Sequence, residues 1–554
     1  MRLGSVLTLV ALPQLLHAAA SAKDHLDHPI HDGTSSKTTP TSKLAPLKAP
    51  NPFLQSRIQE YKVKVTEMYY TALEGYLEFA YPKDELQPLT CSGINTIGNF
   101  SLTLIDALDT AMIMDDVSTF SRMVDLVRFV NFDQDVNVSV FETNIRVVGG
   151  LLSAHIMAKR HPSYSLEYDG ILLTMAEKIG RKLLLAFNTP TGIPYGTINM
   201  LSGVQKDEST VVCTACAGTF NIEFTWLSHL TGDPVFEQTA RKAVRALWDR
   251  RSKIELFGNH IDVIDGRWIY PECSIGGGVD SFFEYLFKAH IAFSDEVEYG
   301  IMFKEIYRAI KLYMHKLDFY HMDVHFETGE TISSQQWSLG AFWPSIKILS
   351  GDIIEAVHDM YPTALYLSKS PFLPEIMLPN SNTLQKGRAG YPLRPEFIES
   401  LWYLYRTTQD QNLLDLAFNF VDRLNMLTRT KCGFSNIANV ETLKKENCME
   451  SFFLAETLKY LYLLFDQDNE YNVGNYVFNT EAHPFPVYST YRTAMHPPQH
   501  VPEELLKYVS AEPLPNASKS YLGDTKDSGM VGLNLGVCPV GNWQWGQRLL
   551  AGFG

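Results

Sequence analysis

Basic charge is scarce in this 554-residue chain: 47 Lys and Arg stand against 62 Asp and Glu, a net charge of −15. An acidic surface argues against nucleic acid or an anionic membrane as the main partner. Long apolar runs are missing too. The first, Leu3 to Leu16, is too short to span a bilayer, and later ones are interrupted by charge. Cysteine is limited to Cys91, Cys213, Cys216, Cys273, Cys432, Cys448 and Cys538. No second pair and no histidine pair stands at zinc-finger spacing. Cys213-Thr-Ala-Cys216 has redox spacing, but no thioredoxin-like βαβ pattern surrounds it, so its role reads as structural. No strand–helix alternation of the kind that builds a parallel sheet appears. The last residues carry no KDEL-like signal, so any retention in the secretory pathway would need another device.

What is present begins with a secretory signal. Arg2, the apolar run after it and the small residues Ala18, Ala20 and Ala22 read as a signal peptide over residues 1–22. Sequons at Asn99, Asn137 and Asn516 agree with that route. Residues 23–52 read as a disordered linker, rich in Lys, Ser, Thr, Pro and His. Residues 53–485 are dense in helical apolar patterns, and residues 486–554 read as a loose tail.

Within 53–485 one unit recurs: an apolar helix, a short polar turn, a second helix. The turns fall at Met114–Val117, Thr231–Pro234, Ser350–Ile353 and Thr408–Gln411, a hairpin repeat of roughly 58 residues. With no polar capping repeat evident, a closed ring of hairpins fits better than an open solenoid. Short β-like runs at 195–213 and 254–272 read as excursions from it, the second with a hairpin turn at Asp265-Gly266.

The chain is organised around Tyr391 to Tyr405. Pro395 suits a helix start, where its missing N–H costs nothing. The helix that follows is apolar all round, hence buried, yet its first turn carries Glu396 and Glu399 on one face, just after Arg394. Acids in a first turn also complement the helix dipole, but here the pattern repeats. Glu142 with Arg146, Asp280 with Glu284, and Glu450 with Glu456 open three further buried-type helices. Ionised carboxylates are almost never fully buried without partners. In a ring of hairpins the inner helices run the same way, so these acids are expected to share one mouth. Such a pit suits a cation with a polyol, or cleavage of a glycosidic bond by a proton donor and a water-activating base. Phe141, Phe282, Tyr391, Phe452 and Tyr476 are candidates for stacking on sugar faces.

These residues resemble a known family. SLTLIDALDT (101–110), FETNIRVVGGLLSAH (141–155), DSFFEYLFK (280–288), YPLRPEFIESLWYLYRTT (391–408), MESFFLAETLKYLYLLF (449–465) and YVFNTEAHP (476–484) are similar to motifs of glycoside hydrolase family 47, the α-1,2-mannosidases of N-glycan processing. The resemblance covers roughly Tyr61 to Pro484 and lies nearest the endoplasmic reticulum (ER) degradation-enhancing branch. It implies an all-α (α/α)7 barrel, an inverting reaction and one Ca²⁺. It implies Glu142 as proton donor, Asp280 and Glu396 as the carboxylates that activate water, and Glu375 as a further acid. It also implies Thr480 as the calcium ligand, and Arg146, Arg394, Glu399, Phe452, Glu456 and Glu481 at sugar- or water-contacting positions. The family's substrate implies high-mannose N-glycans of misfolded glycoproteins in the ER lumen, trimmed to mark clients for ER-associated degradation. Two departures stand out. Gly278 replaces an arginine of the processing enzymes, and Ser338 lies where they carry a histidine motif. Both losses leave open the alternative of a mannose-binding, lectin-like receptor with little hydrolysis.

Two expectations concern thiols. Cys91 and Cys432 each lie beside a mouth-forming motif and are expected to pair across the rim. Cys538, isolated in the tail, is the expected odd thiol, available to a thioredoxin-like oxidoreductase partner.

Overall fold

The computed structural model describes residues 52–491 except 295–296, 318, 379–383 and 490. The signal segment, the linker, Asn516 and Cys538 lie outside the described residues. Among the described residues, no helix is long and apolar enough to cross a membrane.

Fourteen helices alternate between an inner and an outer ring. In chain order they are α1 (Pro52–Phe79), α2 (Leu108–Ile113), α3 (Val117–Val127), α4 (Gly149–Arg160), α5 (Ile171–Leu183), α6 (Asn221–Thr231), α7 (Val235–Trp248), α8 (Asp280–Ala292), α9 (Val297–Tyr313), α10 (Trp343–Leu349), α11 (Ile353–Leu367), α12 (Glu396–Thr408), α13 (Gln411–Thr428) and α14 (Leu458–Phe465). Burial separates the rings. Every residue from Phe397 to Tyr405 of α12 and every residue of α14 is buried. Outer α7 buries only one stripe, Phe236, Ala240, Ala243, Val244 and Leu247 among its residues, the pattern of a helix with one wet face. All four expected polar turns connect an inner helix to its outer partner. At Thr231–Pro234 the connection uses Gly232 in the left-handed region, φ 78°, where glycine carries no steric penalty.

The ring closes through its most distant parts. Outer α1 packs against inner α14, completing a seventh pair. Lys62 reaches Asp466 at 2.6 Å, and Tyr61 lies against Phe465 and Phe418. Gly75 of α1 meets the chain so closely that a Cβ would stand 1.9 Å from the Cys432 carbonyl. The Cys91–Cys432 disulfide ties the same seam, as expected. Cys213 and Cys216 also form a disulfide, while Cys273 and Cys448 are free.

The β excursions appear where expected. β1 (Val211–Cys213), β2 (His260–Asp262) and β3 (Trp268–Tyr270) form an antiparallel sheet, with Gly266 at φ 73° in the β2–β3 turn. A further hairpin, β4 (Tyr476–Phe478) and β5 (Pro484–Pro486), buries Val477, Phe478 and Phe485 within the ring. Packing continues past residue 485: Tyr488 stacks on His229 and Tyr491 meets Trp226 edge-on.

Candidate active site

The acid-bearing helix starts converge. Ahead of α4, Ser139 accepts the Glu142 N–H through its hydroxyl and caps a short turn, Val140–Glu142, that ends on that residue. A π-turn over Thr143–Val148 then carries Arg146, a widening often found at functional sites. Arg146 Nε donates to Glu142 at 2.7 Å. Its Nη1 donates to Glu481 and lies 3.7 Å from Asp106. A second π-turn, Phe453–Thr457, carries Glu456 ahead of α14.

The other arginine gathers a second set. Arg394 grips Glu375 with two nitrogens, at 2.5 and 2.8 Å, the bidentate geometry that suits guanidinium and carboxylate. Its third nitrogen reaches Glu396 at 3.4 Å. The Phe452 ring lies between the sets, 5.5 Å from the Arg146 guanidinium and 6.0 Å from that of Arg394. Asp280 opens α8 and interacts electrostatically with Glu142, Glu284 and Arg394. Burial pushes the Asp280 and Glu396 carboxyls up to about 7. Burial and neighbouring acids drive Glu456 and Glu481 well above the usual carboxylate range, against the pull of Arg146. The cluster therefore holds more buried carboxylate than buried cation.

Some of the expected residues are also tied into the core. Glu399 and Glu284 both pair with buried Lys288, at 3.4 and 2.5 Å, and Glu399 also accepts from Ser345. Phe282 is buried against Phe257 and Phe283. Tyr391 stacks on Phe372 in the core, and Tyr476 packs on Tyr471 and Arg160. Those three aromatics face neighbouring core or flank residues, because the apolar spacing that marks a sugar platform equally marks packing. Phe452 is the aromatic seen against both arginines. Sequence reasoning passed over Asp106, which is fully buried, accepts from Ser451 and faces Arg146. It lies in SLTLIDALDT with Asp109 three residues on, inside a stretch of helix rather than at a helix start, so it lacked the position that marked the other acids.

Thr480 sits at the turn of the β4–β5 hairpin, half-buried beside Glu481. Asn479 shapes that turn: its Oδ1 accepts the Glu481 and His483 N–H groups at 2.9 and 2.8 Å, and its Nδ2 donates to Glu223. The Thr480 N–H donates to the Tyr285 hydroxyl. A hydroxyl and a carbonyl beside an excess of carboxylates are hard oxygen donors, the set Ca²⁺ takes, so the residues present fit that ion.

The family profile of glycosyl hydrolase family 47 matches residues 68–487. The chain belongs to this family. The human ER degradation-enhancing alpha-mannosidase-like protein 2 is 48% identical over 448 residues, covering 76% of this chain and 77% of the relative. Alpha-mannosidase I MNS4 of Arabidopsis thaliana is 44% identical over 437 residues, covering 76% of this chain and 69% of its own length. The solved alpha-1,2-mannosidase from Trichoderma reesei superposes with a TM-score of 0.69 at 27% identity, covering 79% of this chain and all of that one. The likeness identifies the ring as the family's (α/α)7 barrel, a glycosidase scaffold.

Proposed function

We propose that this protein is an inverting, Ca²⁺-dependent α-1,2-mannosidase of the ER lumen that trims high-mannose N-glycans on misfolded glycoproteins, marking them for degradation. The observation that carries the reading is the joint cluster of Glu142, Arg146, Asp280, Glu375, Arg394 and Glu396, drawn from separate helix starts and, for Glu375, from the loop before Ile376, onto one acid-rich site. Carboxyls facing each other across a mouth leave room for a water between donor and base, as inversion requires.

In this reading Glu142, oriented by Arg146, gives its proton to the glycosidic oxygen as the C–O bond breaks. Glu396 and Asp280 hold a water on the opposite side of the ring and take its proton as its oxygen bonds the anomeric carbon. Arg394 fixes Glu375 and Glu396. Phe452 offers an apolar ring to the sugar. Thr480 with its neighbouring carboxylates would hold Ca²⁺, which supplies coordination of sugar hydroxyls and water. β-Mannose leaves first. Proton NMR of early product from an α-linked substrate checks this: α-mannose appearing first overturns the site assignment. Chelation should abolish activity, with calcium and not magnesium restoring it.

A second reading, a lectin-like receptor, draws on the departures at Gly278 and Ser338. Gly278 has φ 96°, and a Cβ there would lie 2.3 Å from Asn259 Oδ1, so an arginine, which the processing enzymes carry, would be strained here and would have to displace the Asn259 carboxamide. A Glu142→Gln protein separates the readings. If it accelerates degradation of a misfolded client as well as wild type does, the receptor reading wins.

A further inference from the structure

At the edge of the site, three potential metal ligands meet that neither reading uses. One carboxylate oxygen from Glu85, one from Glu450 and the Cys448 sulfur all lie within 4.8 Å of one another. Glu85 is 3% exposed, and Cys448 and Glu450 are half-buried. Main-chain bonds hold the arms in place. Met449 N–H donates to the Leu86 carbonyl at 3.0 Å, and Ser451 N–H donates to Glu85 at 2.9 Å. Asn436 N–H donates to the Cys448 carbonyl at 2.9 Å. The ligands thus come pre-positioned from two stretches of chain about 360 residues apart, the sort of rigid support a metal site needs.

A second observation is independent of the three. Asn436 is 2% exposed. Its amide nitrogen donates to Glu450 at 3.1 Å, while its Oδ1 is buried with no hydrogen-bond partner. Buried amide oxygens are nearly always satisfied, so the Asn436 carboxamide, held to Glu450 through its nitrogen, leaves one buried oxygen of this network short of a donor or cation.

We propose that Glu85, Cys448 and Glu450 bind a Zn²⁺ ion, with Asn436 as an additional oxygen ligand or support. A thiolate in the set disfavours Ca²⁺ and Mg²⁺, and a sulfur with two carboxylates suits zinc among the borderline ions. The Cys448 thiol now points its proton at Glu450, 3.5 Å away. Zinc binding displaces that proton to solvent and forms the Zn–S bond, with no redox change. The site differs from the one at Thr480: it lies on a short strand, Glu85–Gln87, and the 448–450 loop, and it contains sulfur. Its occupancy would brace Ser451, which touches both Asp106 and Arg146.

The test uses the full chain, loaded with zinc chloride alone and then dialysed into zinc-free, calcium-containing buffer. One zinc per chain should remain by elemental analysis, and Cys448→Ser should weaken its affinity by at least about 100-fold. Zinc should slow alkylation of Cys448 by a maleimide, with buried Cys273 as the internal control. If Cys448→Ser fails to fold, zinc-edge X-ray absorption on wild type decides: one sulfur at about 2.3 Å is expected. Three results would overturn the site: no retained zinc, a shell of nitrogen and oxygen only, or zinc held equally by Cys448→Ser. The last would move the ion elsewhere, to His25, His28 and His31 for example.

Discussion

Two clusters of buried charge sit side by side in the barrel, and they are built on opposite rules. In the first, Asp109 pairs with Lys459 at 2.8 Å and with His483 at 2.7 Å, and His483 reaches Asp106 at 3.2 Å. Lys459 also donates to the Ala482 carbonyl. Charges there balance. Burial opposes ionisation of Asp109, but Lys459 and His483 outweigh it and hold the carboxyl below its usual range. Asp109 and Asp106 likewise lift His483 despite its burial. In the second cluster, around Arg146 and Arg394, acids outnumber cations and burial lifts Asp280 and Glu396 to about 7. A fold has no use for an uncompensated buried carboxylate. The balanced cluster is therefore architecture, and the unbalanced one is waiting for charge or polarity from outside.

The largest contrast should come from removing one acid from each. Glu142→Gln or Glu396→Gln should lower hydrolysis about 10²–10⁴-fold with little change in the thermal midpoint. Asp109→Asn should instead cost about 3–5 kcal/mol of stability, because it strands Lys459 and His483. Equilibrium denaturation beside a glycan-release assay reads both. An Asp109→Asn protein as stable as wild type would erase the distinction.

A smaller effect separates the clusters by pH. Asp280 and Glu396 have folded values near 7 against about 4 when unfolded. The folded chain binds the extra protons, so their stability term is fully present below about pH 4 and is lost as pH rises through 7. Asp109 works the other way: its stabilisation is present above its unfolded value and is lost as pH falls through its lowered folded value. Midpoints for calcium-depleted protein should therefore fall between about pH 4 and 7, and Asp280→Asn should flatten the slope. An unchanged slope in that variant would assign the titration elsewhere. Smallest of all, Phe452→Ala should leave folding intact and raise KM several-fold, since a ring beside two guanidinium groups contributes only about 0.5–2 kcal/mol. A kcat loss without a KM change would contradict a role in sugar contact.

Much of this was legible in the sequence because hairpins announce themselves. Thr231-Gly232-Asp233-Pro234 carries a left-handed glycine and a helix-starting proline, and the structure bends there. Acids at the starts of greasy helices also stood out, since burial gives them no bland home. The connection at Arg160–Ile171 was not seen because, although it carries Pro162 and Asp169-Gly170, it is longer than the four-residue turns that repeat; the one at Phe293–Val297 contains no glycine or proline. Nor were the two π-turns, which shift the helical repeat within Thr143–Val148 and Phe453–Thr457 without any residue that demands it. Glu399 and Glu284 shared the face expected of mouth residues, yet Lys288, four residues after Glu284 on an apolar helix, captured both. Contact across the ring decides such cases, and periodicity within one helix cannot report it.

The closing pair sets a clock on the chain's birth. Lys62 of α1 finds Asp466 404 residues downstream, and ribosomes add about 5–20 residues per second. For roughly 20–80 s after α1 is made, its face of Tyr61, Val65, Tyr69, Ala72 and Leu73 has no α14 to cover it. The Arg146–Glu481 ion pair is likewise absent from any shorter product, since Glu481 lies 335 residues after Arg146. Each nascent copy thus spends its first minute as an incomplete ring with an uncovered greasy edge, itself in need of chaperones.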